Sequence, residues 1–217
     1  MMDLDDLRRN AYVRAVIRAS ESDDVIGFIG PNVPVELFEA AGLMAVPVYG
    51  LDREILNYSC ETNLCPLIDA TITYAKTDKC PLIHSAKMIV ADDTCVPMSE
   101  ALSRLEGKRI HIYAGNTAGL IEALREVYGT GEILPESLES VREERRRILT
   151  RIADLTNDPI EAFTVEYYIN FLDLSERMSF LDGLQEIYTS SGLIETIYRC
   201  PECRGSFEGG FNYGRLS

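Results

Sequence analysis

The chain has 217 residues, 46% of them hydrophobic and 26% charged, with a formal net charge of −14 and a pI near 4.6. That length supports one large domain or two small ones, with a core that needs no disulfide staples. The acidic balance argues against a nucleic-acid partner, whose phosphates need a basic surface; it leaves room for a small phosphate-bearing ligand, because a few local Lys or Arg residues suffice for its phosphates.

The first residues, Met1-Met2-Asp3-Leu4-Asp5-Asp6, are acidic and lack the basic and apolar regions of a signal peptide. Residues 4–19 read as a helix, with Leu4, Leu7, Ala11, Val13, Val16 and Ile17 mostly on one side. Residues 25–29 form a short apolar strand. Pro34 suits a first helical turn, and 34–41 is a helix that ends at Gly42. Residues 44–48 are a second strand, and 50–63 look irregular. Pro66 opens a helix that runs to about Lys76. Residues 87–91 are a third strand, 98–105 a helix beyond the Cys95 loop, and 109–113 a fourth strand. Gly115-Asn116-Thr117-Ala118 then starts a helix through Val127. Its N–H groups could face a phosphate. The loop matches no full phosphate-binding motif, however, and a plain strand–helix turn is the expected reading.

Residues 129–135 mark a boundary, after which the chain changes class. Residues 137–157 form one long helix with Leu138, Val141, Ile148, Leu149, Ile152 and Leu155 on a face. Its run Arg142-Glu143-Glu144-Arg145-Arg146-Arg147 reads as a solvated face with (i, i+4) pairs. Asp158-Pro159 breaks it, and 160–172 and 175–188 are two more helices, rich in Phe and Tyr. The expected organisation is an α/β domain (1–130), a helical subdomain (136–190) and an irregular tail (191–217). Strands alternating with helices imply a parallel sheet with flanking helices. Ligands of such sheets sit beyond the carboxyl ends of the strands, where Cys95 and the loop 30–33 fall. No apolar run approaches the roughly 20 residues of a membrane span, so a cytoplasmic location is expected.

In a reducing compartment the six cysteines are expected to be free, metal-bound or redox-active rather than disulfide-paired. Cys65 and Cys95 each stand where irregular chain meets a helix. There the helix dipole and unpaired N–H groups favour a thiolate, the form that ligates metals and clusters. Two cysteines are too few for a cluster, and the third ligand would be Cys60, Cys200 or Cys203. The last two form Cys200-Pro201-Glu202-Cys203, half a zinc knuckle. A closed zinc site needs four ligands and His84 and His111 are far off in sequence, so both zinc and unligated tail cysteines stay open. Cys80, before Pro81, reads as a small buried hydrophobe. Glu36 is either a catalytic polar group in a substrate pocket or a surface helix glutamate.

Three blocks carry a family resemblance: Gly27-Phe28-Ile29-Gly30-Pro31-Asn32-Val33-Pro34-Val35-Glu36-Leu37-Phe38-Glu39-Ala40-Ala41-Gly42, then Cys65-Pro66-Leu67-Ile68, then Asp93-Thr94-Cys95 after a strand. Together they resemble the N-terminal half of the 2-hydroxyacyl-CoA dehydratase and benzoyl-CoA reductase family. The helices after residue 136 are similar to that family's insertion between its two α/β domains. The resemblance implies a [4Fe–4S] cluster on Cys65 and Cys95, an acyl-CoA substrate, and an ATP-dependent activator protein that injects one electron. In that family the electron reaches the thioester, and the resulting ketyl radical loses its 2-hydroxyl as water. A homologous subunit or a second copy would complete a dimer, docking on a cluster edge expected to be apolar around Pro31, Val33, Pro34 and Val96.

Three departures stand beside it. Val96 replaces the family's Asp after the second cysteine. Asp69 stands where a basic residue is common. The family's subunits run to nearly twice this length and carry a second α/β domain that provides the third cluster cysteine. The alternative is a non-catalytic cluster carrier or accessory redox protein of half size; a plainer one is an interaction module without metal.

Overall fold

Short apolar runs become the centre of a parallel sheet in the computed structural model, which describes residues 2–51, 53–58, 65–77 and 79–186. The chain begins with β1 (Met2–Asp3) and α1 (Leu4–Glu21), whose first turn is capped by the Asp3 carboxylate accepting from Asp6 N–H at 2.8 Å. β2 (Val25–Ile29), α2 (Val35–Ala40) and β3 (Met44–Pro47) follow. A 3-10 helix (Arg53–Tyr58), α3 (Pro66–Lys76) and α4 (Pro81–Ser85) lead to β4 (Met88–Asp92). Then come α5 (Val96–Ser103), β5 (Arg109–Tyr113) and α6 (Thr117–Tyr128). Last are α7 (Pro135–Leu155), α8 (Pro159–Ile169), α9 (Leu174–Gly183) and β6 (Leu184–Glu186).

The four-stranded sheet is all parallel, in the order β3-β2-β4-β5. Every residue of β2, β3 and β4 is buried, which is why these strands read as unbroken apolar runs rather than alternations. The expected α/β class, a parallel sheet with flanking helices followed by a helical region, is what the chain adopts. From β2 the chain moves to β3 on one side, then returns through α3 and α4 to β4 on the other. The carboxyl ends of β2 and β4 therefore border a topological switch point, where open α/β sheets form their ligand crevice.

Three local expectations change. The inner stripe of α1 is Leu4, Leu7, Ala11, Ala15 and Ala19, whereas Val13 is 49% and Ile17 52% exposed. At 100° per residue, positions 13 and 17 fall outside the stripe that the other five share. The helix expected over 175–188 ends at Gly183, and the chain turns extended to pair β6 with β1 in parallel. α5 starts two residues earlier than expected, so that Cys95 itself is its N-cap.

One hydrophobic cluster runs from the sheet into α7–α9, joining Phe38 and Leu7 to Ile148, Ile152, Phe163, Val165 and Leu181. α7 packs on α2, and α8 on α1. No helix among the described residues is long and apolar enough to cross a membrane.

Candidate functional site

The switch point is built around a buried acid. Asp92 ends β4, and its carboxylate accepts the N–H of Asn32 (2.8 Å), from the loop after β2, and that of Thr94 (3.2 Å), from its own loop. The Asn32 amide donates to the Thr94 hydroxyl at 2.9 Å, and the Ser99 hydroxyl of α5 donates to the Asp92 carbonyl at 2.9 Å. Burial pushes the Asp92 carboxyl above its ordinary range, while the N–H groups of Asn32 and Thr94 pull the other way. Gly30 makes this clamp geometrically possible. Its φ is +109°, and a Cβ there would sit 2.3 Å from the Asp92 Cγ. The two loops that border the crevice are thus one hydrogen-bonded unit, and Cys95 follows directly from it.

Cys95 and Cys65 are the N-cap residues of α5 and α3, each with a proline in the first helical turn. Both are half-buried. α3 and α5 pack against each other. The turn after β3 is pressed onto α3: Gly50 N–H donates to the Thr71 hydroxyl at 2.9 Å, and a Cβ at Gly50 would lie 2.5 Å from the Ala70 carbonyl carbon. Among the described residues no three His, Cys, Asp or Glu side chains form a group able to hold a metal ion. Cys60, Cys200 and Cys203 lie outside the described residues. Cys80 is the N-cap of α4, packed against the core, and burial raises its thiol. Its small-hydrophobe reading accounts for the packing but not for its hydrogen bond with the Tyr12 hydroxyl.

Glu36 lies in the first turn of α2, 16% exposed, with its carboxylate 3.7 Å from Arg142 of α7. One turn on, Glu39 is buried between Arg145 of α7 (3.0 Å) and Arg177 of α9 (2.7 Å). Arg145 also reaches Asn170 at 3.4 Å. Glu166 of α8 completes the group; burial pushes its carboxyl up to about 8 against the pull of Arg145 and Arg177, and one of its oxygens has no hydrogen-bond partner. The run 142–147 is therefore not one solvated face. Arg146 and Arg147 are exposed, while Arg145 points inward because Glu39 waits there.

The apolar edge expected for a partner is also different. Pro31 and Val33 are buried, Pro34 is half-buried, and Val96 alone of the four is exposed, at 59%. The loop before α6 is a plain turn as expected: the Asn116 side chain caps the helix by accepting Gly119 N–H at 3.0 Å. Sequence reasoning missed Asp92, Asn32 and the Glu39 cluster. The pairing of Asp92 with the residue 32 backbone follows only once β2 and β4 are known to be neighbours.

No family model matches the chain. Over 91 residues it is 26% identical to an Escherichia coli (strain K12) protein named "Putative dehydratase subunit YjiM". The match covers 41% of this chain and 24% of that protein, so the similarity extends over about a quarter of the relative's length.

Proposed function

We propose that the chain is an iron–sulfur-cluster-carrying subunit of a 2-hydroxyacyl-CoA dehydratase-like system, working with a partner subunit and an ATP-dependent activator. The observation that carries the reading is the position of Cys95. It follows the clamped loops at the sheet's switch point, on a helix packed against the one that Cys65 caps. The similarity to a protein named as a dehydratase subunit supports the same reaction class.

The donor chemistry suits the group. Iron–sulfur clusters take thiolate ligands, and Cys65 and Cys95 are half-buried thiols at helix starts. The further ligand would come from Cys60, Cys200 or Cys203, or from a partner subunit. When bound, a cluster supplies one-electron transfer and an iron site open to a substrate oxygen. The protein's own part is to tie the two loops together through Asp92 and to present both cysteines at the starts of the packed helices α3 and α5. Glu36 enters as the polar group on the substrate side; proton transfer by it would require its pair with Arg142 to open.

A second reading, an accessory cluster carrier without turnover, is favoured by Val96, an exposed apolar side chain directly beside Cys95. Anaerobic purification with iron, sulfide and visible absorption tests the cluster. Turnover of a 2-hydroxyacyl-CoA with the activator present separates the two readings. Protein purified anaerobically that holds no iron after reconstitution would overturn both.

A further inference from the structure

A second cavity, of about 750 Å³, opens between α1, the exit of β3, the start of α4 and α8. None of the switch-point residues and neither Cys65 nor Cys95 lines it. Its size lies within the range of small-molecule sites. Its wall holds six aromatic rings: Tyr12, Tyr49, Tyr74, Tyr167, Tyr168 and Phe171. They hold one another in place. Tyr12 and Phe171 meet edge-on with centroids 6.0 Å apart, Tyr167 and Phe171 at 5.4 Å. The Tyr167 hydroxyl donates to the Tyr49 carbonyl at 3.1 Å. A flat ring entering here finds further edges and faces to pack against.

Among the described residues, the mouth has the opposite charge from the molecule. In a chain of net charge −14, the cavity is bordered by Arg8, Arg9 and Lys79 against Glu54. Arg8 and Arg9 are exposed neighbours on α1 with no acidic partner among the described residues. Lys79 sits 3.9 Å over the Tyr58 ring, which holds its ammonium group at the rim. Three cations exclude the ammonium ligands that aromatic cages otherwise take. Burial pushes the Tyr12 hydroxyl up to about 12 and raises the Cys80 thiol, so the wall stays neutral and does not repel an anion at physiological pH.

We propose that this cavity binds a small aromatic anion: a planar ring carrying a carboxylate or phosphate, the ring among the tyrosines and the charge on Arg8, Arg9 and Lys79. The inference shares no residue with the dehydratase reading and stands or falls apart from it.

The test titrates the full chain with 2-naphthoate and with 2-naphthyl phosphate, followed by ligand fluorescence anisotropy, for which the absence of Trp leaves a low background. Decahydro-2-naphthoate, as competitor, lacks the aromatic ring, and 2-naphthol lacks the fixed charge. At least one aromatic anion should bind with a Kd below about 1 mM, and both controls at least about tenfold more weakly. Binding of the carboxylate alone or of the phosphate alone upholds the proposal and names the group. The double variant Arg8→Gln/Arg9→Gln should lose at least about tenfold in affinity. Its melting temperature should match the wild type, because both side chains are exposed. Tyr12→Leu should weaken binding of the aromatic anion without affecting the saturated control. No binding, equal binding of the saturated or neutral control, or an unchanged affinity in the double arginine variant would overturn it.

Discussion

Gly30 and Asp92 show how two residues sixty-two positions' reach of chain can hold one loop pair together. Gly30 has φ +109°, and the space a Cβ would need is filled by the Asp92 carboxyl. Gly30→Ala therefore combines left-handed backbone strain with overpacking, and should destabilise by about 2–4 kcal/mol in urea unfolding. Part of that cost is steric, so adding Asp92→Ala should recover some of it. A double-mutant coupling of about 0.5–3 kcal/mol is expected, and strict additivity would contradict the close approach. The cysteines separate at the same scale. Cys65→Ser or Cys95→Ser should abolish iron binding after anaerobic reconstitution, while Cys80→Ser should keep wild-type iron, because Cys80 lines the aromatic cavity instead. Equal iron in the wild type and Cys65→Ser would remove Cys65 from the site.

Among the elements, α2 is tied to the helical region by charge. Glu39 is buried between Arg145 and Arg177, so removing one partner leaves an uncompensated charge in the interior. Arg145→Met should cost about 3–5 kcal/mol, measured by urea unfolding. Glu166 in the same cluster makes stability depend on pH. Its carboxyl is pushed up to about 8 in the folded chain from an ordinary 4.5, so the folded state holds a proton that the unfolded state has released. Above the ordinary value the unfolded chain binds fewer protons, and stability falls with rising pH until the folded value is passed. Glu166→Gln should cancel this slope. Relative to wild type the variant should gain stability between pH 5 and 8, on the order of 1.4 kcal/mol per pH unit at the steepest, and no more above about 8. A constant difference across that range would refute the buried, proton-holding carboxyl.

Elements whose cause is local were legible in the sequence. The α3 helix begins at Pro66 because proline's missing N–H costs nothing there, and β2 and β4 announce their burial by apolar runs. Elements whose cause is distant were not. Arg145 looks like its neighbours Arg146 and Arg147, and turns inward only because Glu39, 106 residues earlier, lies on the helix it packs against. β6 exists through pairing with β1 at the other end of the described chain. α1 carries apolar residues around most of its circumference, so periodicity alone did not choose the Ala11–Ala15–Ala19 stripe over Val13 and Ile17. At the candidate site, the loops carrying Cys95 and residues 30–33 were legible as strand ends. The Asp92 clamp between them needed the strand order.

Across the whole molecule, the question is whether the α/β part and the helices after residue 135 fold separately. The core argues for one unit. Ile148 and Ile152 of α7 and Phe163 and Val165 of α8 belong to the same hydrophobic cluster as Phe38 of α2 and Leu7 of α1. The Glu39 cluster crosses the same boundary, and so does the pairing of β1 with β6. Deleting α7–α9 would uncover Phe38 and Leu7, each side chain losing about 1.5–3 kcal/mol of burial, and would remove both cationic partners of Glu39. Losses of this kind are comparable with the total stability of a domain, about 5–15 kcal/mol. A fragment ending at residue 134 should therefore fail to fold on its own, giving poorly dispersed NMR spectra. In the full chain, near-ultraviolet tyrosine signals, which come from both the α/β part and α8, and far-ultraviolet helix signals should melt together in one transition. Two separated transitions, or a fragment with native dispersion, would show that the helical region is an independent domain. The α2–α7 contact would then be an interface between domains rather than a core.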